Sequence, residues 1–425
     1  MIMRRLFASV FALALLAAAC GDEADLGTAA DSTTTSAAPA PTATPAQPTG
    51  SDVERAAVDP TADVAALAAG INDAGFELLR SLPRDENVVL GPASIGHALL
   101  MAQGAADEPT RAAIDAAFGF GPGAHDAWNA LDQTITASQS EQVVVSIADR
   151  IWPRSDVQPD PGWIDLLASR HGADVAPLDF AGDADASRDT INEWVGDRTE
   201  GLIPELLPQG FITPQTVLVL TNAMYFEADW EVPFGKHGTI TTDFIGLDGT
   251  PVPVELMVEL ELGDRRGVGD GFVGAEVPYA GGDYSMLVIV PDEGRFADVV
   301  ERLDQRLLDE IDATFTTGPF ELQLPRWETS TTVDLLAHLS GIGAAPGAYP
   351  AIARGATLEA AVHAADIAVD ETGTVAAAAT AFGFDLSGPP EPELVVAADQ
   401  PFLYLIRHRD SGLVLFAGQV LDPTS

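Results

Sequence analysis

The order in which hydrophobic periodicities change along the chain limits its fold more than any other feature. Apolar residues first recur at the spacing of one helical face, at Val64, Leu67 and Ile71, then Phe76, Leu78 and Leu79. Ser81-Leu82-Pro83 breaks that pattern. Asn87 to Leu90 then reads as a short buried strand, Gly91 to Ser94 as a turn, and Ile95 to Gln103 as a second helix. A further helical stretch runs from Asp189 to Leu207, with Ile191, Trp194 and Val195 inward and Gly201 and Pro204 as its punctuation. Strand-like runs then dominate: Thr216 to Phe226, Gly274 to Pro278, Tyr284 to Val290, Glu321 to Leu324, Leu394 to Ala397, Phe402 to Arg407 and Leu413 to Val420. Helices first and mostly strands afterwards predict an α+β fold, not an alternating parallel one.

The chain before this domain has a different character. Arg4-Arg5 precede the apolar run Leu6 to Leu16 and the small residues Ala17 to Ala19, the layout of a sorting signal too short to span a bilayer comfortably. Cys20 follows directly and is the only cysteine, which excludes an internal disulfide. The arrangement resembles a bacterial lipobox, although Leu16 sits four places before the cysteine and not the usual three. Lipidation of Cys20 is the expectation; the other reading is an ordinary secretory signal cut near Ala19, with Cys20 incidental. From Gly21 to about Thr61 the sequence is rich in Thr, Ala, Pro and Ser, too poor in apolar area to repay ordering, and reads as a flexible tether. The expected organisation is a signal peptide over 1–19, a lipidated cysteine and tether over 20–61, and one domain over 62–425 with no internal repeat. That places the protein outside the cytoplasm, lipid-anchored or secreted.

Charge and motif content exclude several functions. With 21 Lys plus Arg against 64 Asp plus Glu, the net charge is −43, and no clustered basic residues are available to neutralise phosphates, so no nucleic-acid partner is expected. The same charge disfavours adhesion to anionic membranes, leaving only a lipid anchor as membrane contact. Gly91 to Gly96 has the wrong spacing for a nucleophile elbow, no histidine pair has metal-ligand spacing, and no Gly-rich phosphate loop occurs. Enzymatic activity, a metal and a cofactor are therefore not expected. His97, His338 and His363 each stand alone among apolar residues and read as core histidines.

The segment Asp370-Glu371-Thr372-Gly373-Thr374 through Ala381 resembles the mobile hinge of serpins, inhibitors that trap a protease by inserting a cleaved loop into a sheet. Four more segments resemble the same family in its order. They are Asn87 to Met101; Ile191 to Val195 with Thr199 to Ile203; Leu220 to Phe226 with Trp230, Pro233 and Phe234; and Pro401 to Arg407 with Leu415 to Gly418. The resemblance implies a serpin fold, helices around a large central sheet with further sheets and an exposed reactive loop at about 371–393. It also implies a hinge at Glu371, Gly373, Thr374, Ala376, Ala377, Ala378, Ala379 and Thr380. Ser94, Asn222 and His363 match the polar cluster that controls strand separation, and Trp230 matches the aromatic where insertion begins. Gly91 stands where the family usually has a serine.

Alternation in the loop agrees with that reading independently. Thr374, Ala376, Ala378, Thr380, Phe382, Phe384 and Leu386 share one face of an extended segment, small residues first and large apolar ones last. Pro389, Pro390 and Pro392 then end any central ladder. Counting from Gly373 by the family's hinge length points to scission at Ser387-Gly388, and counting back from Pro389 points to Leu386-Ser387. The second is chosen, because leucine can fill an apolar specificity pocket.

What the resemblance implies for function is suicide-substrate inhibition of a serine, or a cysteine, protease at the bacterial cell surface. The expected partner is a chymotrypsin-, elastase- or subtilisin-like protease, since no Lys or Arg lies between Gly373 and Pro401. The protein is expected to act as a monomer. The alternative is a non-inhibitory serpin serving as a binding or carrier module. Thr374 is expected at an exposed or half-exposed loop root, where Thr374→Arg would leave the uncut fold intact.

Overall fold

The computed structural model describes residues 53–235, 238–259, 265–318, 320–344, 347–358, 361–374 and 394–425, all within the compact unit Ala46–Ser425. Side chains stabilise the helix starts locally. Asp63 caps α1 (Val64–Ser81) by accepting from Ala66 N at 3.0 Å, and Pro92 supplies the preset first turn of α2 (Pro92–Gln103). Helices α3 (Glu108–Phe118), α4 (Ala124–Ala137), α5 (Pro161–Leu166) and a π-helical turn at Leu167–His171 complete the first helical group. α6 is Ala184–Arg198, so the helical stretch read over Asp189 to Leu207 starts earlier and stops sooner. Asp183 caps its start through Ala186 N, and Glu200 and Gly201, at φ 50° and 81°, cannot continue it. Three short helices follow, α7 (Phe296–Arg302), α8 (Gln305–Thr314) and α9 (Leu336–Gly341).

The strands form three sheets. The seven-stranded sheet runs in the order β1 (Val88–Leu90), β17 (Val414–Val420), β16 (Phe402–His408), β9 (Tyr284–Pro291), β8 (Phe272–Pro278), β7 (Arg265–Gly269), β10 (Thr316–Thr317). Every residue of β9, β16 and β17 is buried, which is why these strands read as mostly apolar runs. A four-stranded sheet orders β15 (Val395–Ala397), β11 (Glu321–Pro325), β6 (Pro251–Glu259) and β5 (Ile240–Ile245). The six-stranded sheet carries the site. Its order is β12 (Trp327–Asp334), β13 (Val362–Val369), β14 (Gly373–Thr374), β4 (Leu218–Asp229), β2 (Val143–Pro153), β3 (Asp174–Val175). One face of β4, with Met224, Phe226 and Ala228, joins the main core; Val219 faces the other way, into a second core with Trp152 and the α6 residues Ile191 and Val195. This is the expected α+β architecture.

Candidate functional site: a hinge seated in the central sheet

β13 and β4 are separated by a single two-residue strand. β14 is antiparallel to both: Thr374 sits opposite Val369 of β13 and Ala228 of β4, and Gly373 opposite Asp229. Gly373 has a steric reason for its identity, since a Cβ there would lie 2.0 Å from the Ala228 carbonyl oxygen. Thr374 is 1% exposed. The expectation of an exposed or half-exposed loop root is therefore overturned. The first residue of the small-residue face is already a rung of the sheet, its hydroxyl 2.6 Å from that of Tyr279.

The turn that leads into β14 is fastened from several sides. Asp370 Oδ1 accepts from the backbone and the hydroxyl of Thr372, at 2.7 and 2.6 Å, and forms an Asx turn. Trp230, buried and just past the end of β4, donates from Nε1 to the Asp370 carbonyl at 3.0 Å and from its backbone N–H to the Thr372 carbonyl at 2.8 Å. Its ring stacks on Tyr279 with centroids 4.5 Å apart. Trp230 thus lies beside the turn that leads into β14. The Glu371 carboxylate accepts from Arg326 Nε at 2.9 Å and from a second guanidinium nitrogen, while Thr239 donates at 3.3 Å. Burial works to raise its pKa, yet the Arg326 hydrogen bonds hold the carboxyl below the ordinary glutamate value.

Beyond Thr374, toward the starts of β13 and β4, no described strand lies between the two. A cavity of about 340 Å³ opens there, lined by Ala98 and Leu99 of α2, Val217 and Leu218 by β4, and Val362 and His363 of β13. Ser94 and His363 share this wall and are both buried. Gly91 N donates to His363 Nε2 at 3.0 Å, and burial pushes this imidazole down to about 4, so it is neutral and its Nε2 is an acceptor. A Cβ at position 91 would stand 3.2 Å from His363 Cε1 and 3.4 Å from Ser94 Cβ. Glycine lets α2 approach closely here. The backbone of Asn222 pairs with Asp149 of β2; its side chain lies outside the described set, as do Cys20, Ala376, Ala377, Ala378, Ala379, Thr380, Leu386 and Ser387.

His97 is a buried, bonded histidine as expected, its partner being a second histidine, His171, at 2.8 Å; the expectation for His338 changes, since it is partly exposed and bonded through Nδ1 to the Ser81 hydroxyl at 2.8 Å. Tyr279, Arg326 and Asp370 were not singled out from the sequence. Only Asp370 carries a local signal, the Asp-x-Thr of an Asx turn; Tyr279 and Arg326 reach the hinge from 95 and 45 residues away.

Comparison with known proteins agrees with this geometry. The model of the family described as Serpin (serine protease inhibitor) matches residues 69–423. Serpin-Z1 of Arabidopsis thaliana is 30% identical over 82% of this chain and 91% of its own length. Leukocyte elastase inhibitor of Sus scrofa is 29% identical over 82% of this chain and 97% of its own. Among solved structures, the thermophilic serpin Tengpin in its native state superposes with a TM-score of 0.77 at 24% identity, over 87% of this chain and 96% of that one. A hinge seated between β13 and β4, with no described strand below it, agrees with these matches, which place the chain in the serpin family of serine protease inhibitors.

Proposed function

We propose that the protein is a suicide-substrate inhibitor of serine proteases with apolar specificity, acting outside the cytoplasm, either anchored by a lipidated Cys20 or secreted. The observation that supports this best is β14. It is the start of a strand that, if continued, would run between β13 and β4, where no other described strand lies. Extending its register two residues at a time sets Ala376 opposite Phe226 and Ile367, and Ala378 opposite Met224 and Ala365. Thr380 then meets Asn222 and His363, and Phe382 meets Leu220 and Ala361. In this register the small residues follow β14 directly, a hydroxyl reaches the polar cluster, and Phe382 arrives at the 340 Å³ cavity.

In this mechanism the protease serine Oγ attacks the Leu386 carbonyl carbon, the Leu386-Ser387 peptide bond breaks, and the Ser387 amine leaves with the new carboxyl-terminal peptide. Leu386 stays esterified to the enzyme. Insertion of the freed segment then carries the protease along before water reaches the ester. Burying Phe382, Phe384 and Leu386 contributes about 1.5–3 kcal/mol each, and each new ladder hydrogen bond about 1 kcal/mol net. Ordering the strand opposes this by about 1–2 kcal/mol per residue. The name of the porcine elastase inhibitor supports an elastase-like partner, in keeping with leucine before the scissile bond.

Incubation with chymotrypsin-, elastase-, subtilisin- and trypsin-like proteases is expected to give an SDS-stable complex with one of the first three, and a released peptide beginning at Ser387. A peptide beginning at Gly388 would refute the bond, and cleavage that leaves the protease active would refute inhibition. The anchor is tested separately. Cys20→Ala is expected to move the protein from the membrane fraction to the medium, and retention would overturn lipidation.

A further inference from the structure

Three imidazoles that the inhibitory mechanism does not use form a row on the helical side of the molecule. His97 Nε2, on α2, lies 2.8 Å from Nδ1 of His171, the last residue of the π-helical turn; His171 Nε2 lies 2.9 Å from His125 Nδ1, in the first turn of α4. His125 Nε2 is 3.2 Å from Gln103 Oε1, and Gln103 Nε2 donates to Asp115 Oδ1 of α3 at 2.7 Å. His97 and His171 are buried and His125 is half-buried, and the His97 ring stacks on Trp128 at 3.8 Å.

The far end of the row fixes its polarity. An ionised carboxylate only accepts, so Gln103 turns its NH₂ to Asp115 and its oxygen to His125. His125 therefore donates from Nε2 and accepts at Nδ1. His171 must then donate from Nε2 and accept at Nδ1, which makes His97 a donor from Nε2. A ring that donates from Nε2 and accepts at Nδ1 is neutral, which is the state of His125 and His171. A proton added to His125 Nδ1 or His171 Nδ1 would set two N–H donors against each other across 2.9 or 2.8 Å.

We propose that His97, His171 and His125 form an acid-operated latch, which ties α2 and α4 to the π-helical turn while neutral and parts at one of its two links when protonated. The surroundings favour release over accommodation of a cation. Arg170 of the turn, Arg55 of the amino-terminal segment and Arg111 of α3 all act against a charge on the row. Arg170 is paired with Asp126 at 2.6 Å and Arg55 with Asp132 at 2.5 Å, and Asp115 is engaged by Gln103. Asp126 alone of these favours a cationic His125, and burial outweighs it: His125 is pushed down to about 4 and His171 well below its ordinary value. α2 also carries Ser94 one turn before His97, so movement at the row reaches the wall of the slot between β13 and β4.

Nitrogen-15 spectra of the histidine-labelled full chain at pH 7.5 are expected to show the neutral Nε2–H tautomer at His125 and His171; an Nδ1–H form at either of them overturns the proposal. Urea unfolding of wild type and His125→Gln is then compared, the glutamine being able both to donate to Gln103 and to accept from His171. At pH 7.5 the variant is expected to match or fall below wild type, and at pH 4.5 to exceed it, the ratio of folding constants moving by on the order of tenfold or more. A ratio that does not move with pH overturns the latch. If the variant does not fold, wild type decides by amide exchange: protection in α4 must fall between pH 6.5 and 4, and protection retained to pH 4 contradicts the proposal.

Discussion

Thr374 and its neighbours show how much of the site depends on single side chains. The Tyr279 hydroxyl and that of Thr374 satisfy each other inside the sheet, where an unmet polar group is costly. Tyr279→Phe is expected to cost about 1 kcal/mol in urea unfolding of the uncut protein and to loosen β14, seen as faster amide exchange at Thr374. Gly373→Ala is the harsher change. Its methyl would collide with the Ala228 carbonyl, so a loss of about 1–3 kcal/mol is expected, and an unchanged midpoint would show that β14 is not seated as described. The composition of the hinge, its Gly and its small residues, is legible in the sequence. That Thr374 is already buried is not, because a period of two describes a strand equally well inside or outside a sheet. The side chains that hold it come from β8 to β9 and the β11 to β12 connection, contacts of long range that no local pattern records.

Among the elements, legibility follows burial on both faces. β9, β16 and β17 are buried throughout and mostly apolar, and stand out as strands. β12 and β13, which form one wall of the slot, do not. Trp327–Asp334 is rich in Thr and Ser, and Val362–Val369 alternates buried and half-buried residues, five of the eight being alanine or a polar type. Their pairing from Trp327 with Val369 to Asp334 with Val362 makes them a unit, while among the described residues β13 meets β14 at one residue pair only. Such a boundary can open without breaking a long ladder. Because Thr374 is buried before cleavage, Thr374→Arg would disturb the uncut fold, and the informative site moves two rungs along. Ala378→Arg would set an unpaired guanidinium opposite Met224 and Ala365 after insertion, at a cost of several kcal/mol. The variant is expected to be cleaved as a substrate with no SDS-stable complex, its uncut urea midpoint being measured alongside. Complex formation with unchanged stoichiometry would contradict the register.

For the whole molecule, titration opposes stability in acid. His363 and His125 fall to about 4 and His171 well below its ordinary value, each because burial disfavours the cation, whereas an unfolded histidine titrates near 6.5. Between about pH 6.5 and 4 the unfolded chain therefore binds protons that the native state refuses. Stability falls with pH there, by up to about 1.4 kcal/mol per pH unit for each such histidine. Unfolding midpoints in urea should decline across that window and flatten above pH 7. The charge of −43 adds a second handle: salt screens the repulsion among carboxylates, so midpoints at pH 7.5 should rise with ionic strength. The central claim is that the cleaved loop becomes a strand between β13 and β4, and hydrogen exchange tests it most directly. The protein is compared before and after cleavage of the Leu386-Ser387 bond. Insertion predicts slower exchange at the amides of 220–226 and 363–367 that border the slot, and unchanged exchange there after complete cleavage would contradict it.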